Sequence, residues 1–323
     1  MNYTVLLRCP ATRYRIYTET CRDYKCGTVC YAIYVLDLVN HNNFIMPSSE
    51  NAIAIQPWSL SGKTALITGA SRGIGKAIAI YLARKGLAKI AITYASNKAA
   101  AEDTLDQCRA HGIKKAVALQ ADALDPTAWP KVVKDSIDAL DVSEIDILVN
   151  NAIWGSFQDF KPAGETTAED FTKAMIANVY SPVSTIVEFM KHAPKTGGRV
   201  INISSVAARE ANNDPIITYG ACKATLDSYT RSFAGSFAID TGITFNIVVV
   251  GPTATDALVN TMSALPAEFE EKLKASASAA YRMGVPDDVA HIVGFLASDE
   301  SKWVNGAAVS ANGGYRSLLA ALG

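Results

Sequence analysis

Thr68-Gly69-Ala70-Ser71-Arg72-Gly73-Ile74-Gly75 lies where a short apolar run, Thr64 to Thr68, gives way to a longer amphipathic one that starts at Gly73. The glycines therefore fall between a predicted strand and a predicted helix. Glycine at such a junction permits a tight turn, lets backbone N–H groups approach a pyrophosphate, and lets the helix pack closely on the strand. The spacing Gly-x-x-x-Gly-x-Gly predicts a phosphate cradle built from Gly69, Ser71, Arg72, Gly73, Ile74 and Gly75.

Beyond Lys63, short β-branched runs keep alternating with longer amphipathic ones, the pattern of a parallel sheet covered by helices on both faces. Strands are predicted at Thr64 to Thr68, Ile90 to Tyr94, Ala116 to Gln120, Ile145 to Val149, Arg199 to Ile203, Thr244 to Val250 and Ala307 to Val309. Helices are predicted from Gly73, from near Pro126, through Asn178, from Tyr219 onward and after Pro286. No repeat or low-complexity tract interrupts the alternation. The expected fold is α/β: a single doubly wound Rossmann-type domain over residues 58–323, with a mainly parallel seven-stranded sheet between helices.

The 323 residues, 49% hydrophobic and 19% charged, suffice for one sizeable core with an appendage. A net charge of -1 offers no basic stripe, so small molecules are the expected partners and nucleic acid is not. No apolar run reaches the roughly 18 to 20 residues of a bilayer-spanning helix. Val29 to Val39 is interrupted by Asp37 and lacks the flanks of a signal peptide, so no membrane partner and a cytoplasmic location are expected. Cys9, Cys21, Cys26 and Cys30 crowd the N-terminal region without a Cys-x-x-Cys pair, which favours reduced thiols over a metal site. Residues 1–57 are rich in Tyr, Cys and Arg and lack a sustained period. They read as a dispensable N-terminal extension, either disordered or the product of a start assigned upstream of Met46.

Further motifs follow in the chain: Asn150-Asn151-Ala152, a lone Asn178, Ser204-Ser205, and Tyr219-Gly-Ala-Cys-Lys223. Tyr219 and Lys223, four apart near a helix start, lie on one face. A phenol, an ammonium and the Ser205 hydroxyl could converge on a carbonyl, as hydride transfer from a nicotinamide requires. The set resembles the short-chain dehydrogenase/reductase family over about four fifths of the chain. The resemblance implies that Tyr219 exchanges a proton with the substrate oxygen and that Ser205, rather than Ser204, hydrogen-bonds that oxygen. The Lys223 ammonium, with the positive charge of oxidised nicotinamide, is expected to lower the phenol pKa, and the resemblance implies that Asn178 holds a water of the proton path. Asp122 matches the acid that meets the adenine amino group, although it could equally cap the next helix. Asn151, Ala152, Gly251, Thr253 and Thr255 match cofactor-lining positions, as do Tyr219 and Lys223. Two residues depart from the family pattern: Ile153 stands where glycine is usual, and Val250 where proline is usual.

A carboxylate at the end of the second strand would hold the ribose of NAD and repel a 2'-phosphate. Here that place reads Tyr94-Ala95-Ser96-Asn97-Lys98, with Arg72 in the glycine turn, so NADP(H) is the expected cofactor. A lid over residues 252–281 is expected to set specificity, with Leu258, Met262 and Leu265 and a short amphipathic helix at Glu268 to Lys274. Trp154, Phe157 and Phe160 add aromatic surface. A hydrophobic or aromatic ketone fits, as in the hydroxynaphthalene-reductase and 3-oxoacyl-carrier-protein-reductase branches. The alternatives are a non-redox member that uses NADP as a scaffold for cyclisation or isomerisation, and a binding protein that senses the cofactor. The resemblance implies a homotetramer or homodimer; the helix from Tyr219 to Ile239, apolar at Leu226, Phe233, Phe237 and Ile239, needs cover beyond the sheet, which either a symmetry mate or the lid of the same chain would supply.

Overall fold

The computed structural model describes residues 57–155, 159–262 and 266–319. The expectations for residues 1–56, Phe157 and Leu265 lie outside them. Seven strands run through the molecule: Thr64–Ile67 (β1), Lys89–Tyr94 (β2), Lys115–Gln120 (β3), Ile147–Asn150 (β4), Gly198–Ser205 (β5), Ile243–Val250 (β6) and Ala308–Ala311 (β7). In β1, β4 and β6 every residue is buried, as strands covered on both faces must be. The order is β3-β2-β1-β4-β5-β6-β7 and every pairing is parallel, so the sheet is wholly rather than mainly parallel. The chain moves outward from β1 through β3 and then returns to place β4 beside β1. The carboxyl ends of β1 and β4 therefore flank a switch point, where open α/β sheets bind ligands.

The helices are Gly73–Arg84 (α1), Lys98–Arg109 (α2), Ala128–Leu140 (α3), Ala168–Met175 (α4), Ser181–Phe189 (α5), Ile217–Thr241 (α6), Asp256–Met262 (α7), Ala267–Ser276 (α8), Pro286–Ala297 (α9) and Arg316–Leu319 (α10). One core joins α1, α2 and α9 to one face of the sheet through Ile78, Leu82, Leu105 and Val293. A second joins α3, α5 and α6 to the other through Trp129, Ile186, Phe189 and Phe233. Among the described residues no helix is long and apolar enough to cross a membrane.

Among the boundaries that differ from expectation, hydrogen bonds account for three. β4 starts at Ile147, since Ile145 N–H donates to His192 O and Asp146 Oδ2 accepts from Thr64 N–H. α3 starts at Ala128 because Asp125 Oδ1 accepts from both the N–H and the hydroxyl of Thr127, which holds the turn open. β5 runs on to Ser205 because its pairing with β6 continues through Ser205 and Val250. In the lid, the predicted charged helix is α8, with Lys274 bonded to Glu270 and Glu271 at 2.8 and 3.0 Å. None of its residues is buried, so it is a solvated helix.

Candidate functional site

The cradle is held by contacts that only glycine allows. Gly69 has φ +65°, and a Cβ there would meet Ala152 Cα at 2.8 Å. A Cβ on Gly75 would lie 2.4 Å from Gly69 O. Asn151 locks the turn from the neighbouring strand: its Nδ2 donates to Thr68 O and Gly69 O at 3.0 and 2.9 Å. The Thr68 hydroxyl accepts from the N–H groups of Asn151 and Ala152, both at 2.9 Å. Arg72 precedes α1 in extended conformation, supplies no side-chain cap, and no acid sits in the first turn. The leading N–H groups of α1 are thus open to an anion, with the positive end of the helix behind them. These features fit a nucleotide pyrophosphate.

The end of β2 is tied to this turn by Gly69 N–H to Thr93 Oγ1 and Ala70 N–H to Thr93 O, both 2.9 Å. Arg72, Ser96 and Lys98 are exposed there. Two neighbours have other duties. Asn97 caps α2, accepting from Ala100 N–H at 2.9 Å, and Tyr94 belongs to the core with 8% exposure. Asp122 is exposed and accepts from Leu124 N–H at 2.9 Å, bracing its own turn and not the N-terminus of α3, which Thr127 precedes. Thr255 stands over the turn, its Cγ2 3.4 Å from where a Gly73 Cβ would be. Thr253 is buried and donates to Gly251 O at 2.9 Å. Gly251 permits close approach, since a Cβ would meet Asn312 Cα at 2.9 Å. Val250, in place of the usual proline, donates no break: β6 stays paired with β7 up to it.

Ser205, Tyr219 and Lys223 gather at the end of β5. Lys223 is 5% exposed; its Nζ donates to Ile203 O at 2.8 Å and stands 5.8 Å from the Tyr219 ring centre. Burial pushes the ammonium pKa down to about 8, partly opposed by nearby Cys222 and Asp227. Burial also raises the Tyr219 phenol, and the Ser205 hydroxyl beside it pulls the other way. Desolvation outweighs the pull of Ser205 on the buried phenol. The phenol is accordingly held protonated at neutral pH, the state a proton donor needs. Ser204 points elsewhere, into the buried space between β5 and α6.

Asn178 is 2% exposed, in the middle of a π-helical turn, Ile176–Tyr180, that joins α4 to α5. Its Oδ1 accepts from Trp154 N–H at 3.0 Å and its Nδ2 donates to Trp154 O at 3.1 Å. The side chain thus fixes the loop after β4, in which Ile153 replaces the usual glycine. The sharp bend falls instead on Gly155, with φ +100° and the Phe160 ring 2.7 Å from where a Cβ would be. This seats Phe160 between Trp154 and Tyr219, ring centres 6.0 and 5.8 Å away. Leu258 and Met262 lie on α7, half-buried. A separate cavity, lined by Pro252, Leu273, Ala277, Arg282, Ile292 and Asn312, opens between lid, α9 and β7 and includes none of the four catalytic candidates.

Sequence reasoning passed over Gly220 and Asn212. A Cβ on Gly220 would lie 2.7 Å from Ala207 O and 2.2 Å from Asn212 Nδ2, which itself donates to Ala207 O at 2.8 Å. The start of α6 thereby presses against the 3-10 turn after Ser205, and Tyr219 reaches the serine. The π turn likewise has no signal in the sequence, because it adds one residue to a helix without changing its composition.

A family model described as enoyl-(acyl carrier protein) reductase matches residues 69–316. The chain is 53% identical over 266 residues to the short chain dehydrogenase asqE of Emericella nidulans, covering 82% of this chain and 98% of that protein. A solved short chain dehydrogenase from Burkholderia cenocepacia, in complex with NADP, superposes with TM-score 0.71 at 33% identity, over 79% of this chain and 98% of its own. The promiscuous reductase LugOII, which catalyses keto-reduction at C1 during lugdunomycin biosynthesis, superposes with TM-score 0.70 at 35% identity, over 79% of this chain and 98% of its own. With a fully parallel doubly wound sheet, a glycine cradle at its switch point and a matching model across most of its length, the chain belongs to the short-chain dehydrogenase/reductase family.

Proposed function

We propose that the chain is an NADPH-dependent ketoreductase of secondary metabolism, acting in the cytoplasm on a hydrophobic or aromatic, polyketide-type carbonyl. The observation that carries this reading is the gathering of Ser205, Tyr219 and Lys223 at the end of β5, beside the row Trp154–Phe160–Tyr219. When bound, NADPH supplies the hydride. Gly69 to Gly75 and the open start of α1 hold its pyrophosphate, and Arg72, Ser96 and Lys98 meet its 2'-phosphate. Ser205 donates a hydrogen bond to the carbonyl oxygen as negative charge builds there. Tyr219 gives that oxygen its proton, and the Lys223 ammonium stabilises the phenolate left behind. The aromatic row offers edges and faces to a flat apolar substrate. The printed activity of LugOII supports the ketoreductase reading by likeness.

Consumption of NADPH absorbance across a panel of aromatic ketones tests the reading, and no turnover on any of them would count against it. NADPH is expected to bind at least about tenfold more tightly than NADH, because each charge-assisted phosphate contact contributes about 1.5 to 3 kcal/mol. Titrations giving equal dissociation constants would reject the 2'-phosphate pocket.

We also propose that the protein is a homodimer or homotetramer. Leu226 and Phe233, expected to need outside cover, are buried within the chain at 2% and 7% exposure, whereas Phe237 and Ile239 are exposed. Among the described residues, an apolar groove is lined by Phe171, Met175, Val179, Tyr180, Val183 and Tyr229 and continued by exposed Val187 and Phe237. A two-fold contact through α5 and α6 would cover it. Light scattering is expected to give a multiple of the chain mass, with Tyr229→Arg shifting it toward the monomer. A wild-type monomer at micromolar concentration would refute the assembly.

A further inference from the structure

Behind the proposed catalytic groups, β5 and α6 share a buried polar seam. Asn202 and Ser204, two apart on β5, turn the same way. Asn150 Nδ2 donates to Asn202 Oδ1, and Asn202 Nδ2 to Thr230 Oγ1, each at 2.8 Å; Thr230 Oγ1 donates to Leu226 O at 2.8 Å. This part of the seam is neutral and well paired. One step nearer the site it changes character, for Ser204 faces Asp227. Asp227 is 3% exposed, and its Oδ2 stands 3.6 Å from Nε of half-exposed Arg209. Ser204 Oγ and Asp227 Oδ1 are both buried, and beyond the contact of Ser204 with Asp227 neither finds a hydrogen-bond partner among the described residues. A carboxylate is costly to bury with so little pairing. Packing alone does not call for it, since the next contact along the seam is met by Asn and Thr. Asp227 lies one helical turn beyond Lys223, so the two heads occupy the same face of α6.

We propose, on the basis of the ketoreductase reading, that Asp227 is a positioning residue of the reaction: its charge keeps Lys223 an ammonium beneath Tyr219, and its contact with Ser204 steadies the strand end that presents Ser205. The groups around the pair support this. On α6, Lys223 has Tyr219, Cys222 and Asp227 for neighbours, and β5 offers it the Ile203 carbonyl. Cys222 is pushed up to about 11 by burial, so near neutral pH it is uncharged and Asp227 supplies the only negative charge in that set. Burial raises the Asp227 pKa, while Ser204, Arg209, Arg231 and Lys223 favour its ionised form.

The sign of the effect follows. Removing the carboxylate takes away a charge that favours the ammonium, so Lys223 would discharge at lower pH and ketone reduction would fail earlier on the alkaline side. In Asp227→Asn the alkaline limb of kcat is expected to move down by about one pH unit, giving about tenfold loss above pH 8 and little loss near pH 6.5. KM for NADPH should stay within about threefold, and Asp227→Glu should restore most of the limb. The Lys223 titration, read by NMR of protein labelled at lysine Cε and assigned through Lys223→Arg, should move with it. Should Asp227→Asn not fold, Ser204→Ala carries the test and should shift limb and titration the same way by less. An unmoved limb and titration, or a loss equal at every pH, overturns the proposal. If the wild type reduces no ketone, the functional reading has failed, and the NMR titration still decides the role of Asp227.

Discussion

Tyr219→Phe is expected to lower kcat for ketone reduction by roughly 10²- to 10⁴-fold while leaving NADPH binding within about twofold. That loss corresponds to about 2.7 to 5.5 kcal/mol of barrier. The substitution keeps the ring and its contact with Phe160, 5.8 Å away, and removes only the proton donor. The Lys223 ammonium is held by Ile203 O at 2.8 Å and does not depend on the phenol for its place. Single-turnover kinetics with NADPH, beside a fluorescence titration of the cofactor, separates the two effects. A variant that reduces ketones at the normal rate would show that the proton comes from another group. A variant that loses NADPH binding in parallel would show that the hydroxyl serves cofactor binding and not proton donation alone.

Gly75→Ala should be nearly as damaging, by a different route. Its new methyl would land 2.4 Å from Gly69 O, 2.5 Å from Asn151 Nδ2 and 2.9 Å from Ala70 Cα. Two of these are backbone atoms of the cradle, and the third is a side chain fixed by two hydrogen bonds. Nothing there can turn aside, so the start of α1 must lift from the turn. Overpacking of this kind costs about 1 to 3 kcal/mol, or somewhat more where the neighbours are rigid. A thermal midpoint lower by about 3 to 10 °C is expected. NADPH affinity should fall by about 100-fold, since losing two charge-assisted N–H contacts removes at least about 3 kcal/mol. Gly235→Ala is the contrast: within 4 Å of its Cβ there is nothing, and it lies exposed inside α6. It should stabilise the protein by about 0.5 to 1 kcal/mol. Calorimetry on both variants checks the pair, and equal midpoints would contradict the close packing of the cradle.

The amino-acid sequence by itself determined the alternation of strands and helices, the glycine cradle and the common face of Tyr219 and Lys223. Each of these is local: a period of two or 3.6, or a turn that needs glycine, is written into adjacent residues. The tertiary structure alone decided which polar groups are packed into the scaffold and which stay open. Asn97 and Ser96 are neighbours in a polar run and both are exposed, yet it is Asn97 that caps α2. Tyr94 ends the strand just before them and belongs to the core, because α2 covers that face of the sheet. Asn178 required a π turn and a loop from another strand before its amide had partners. Asp227 reads in the sequence as one more charge on a helix; only the closing of α6 over β5 takes it out of water and sets it beside Lys223. Burial of a polar group depends on what covers it, and the covering element lies far away in the chain, so periodicity cannot report it.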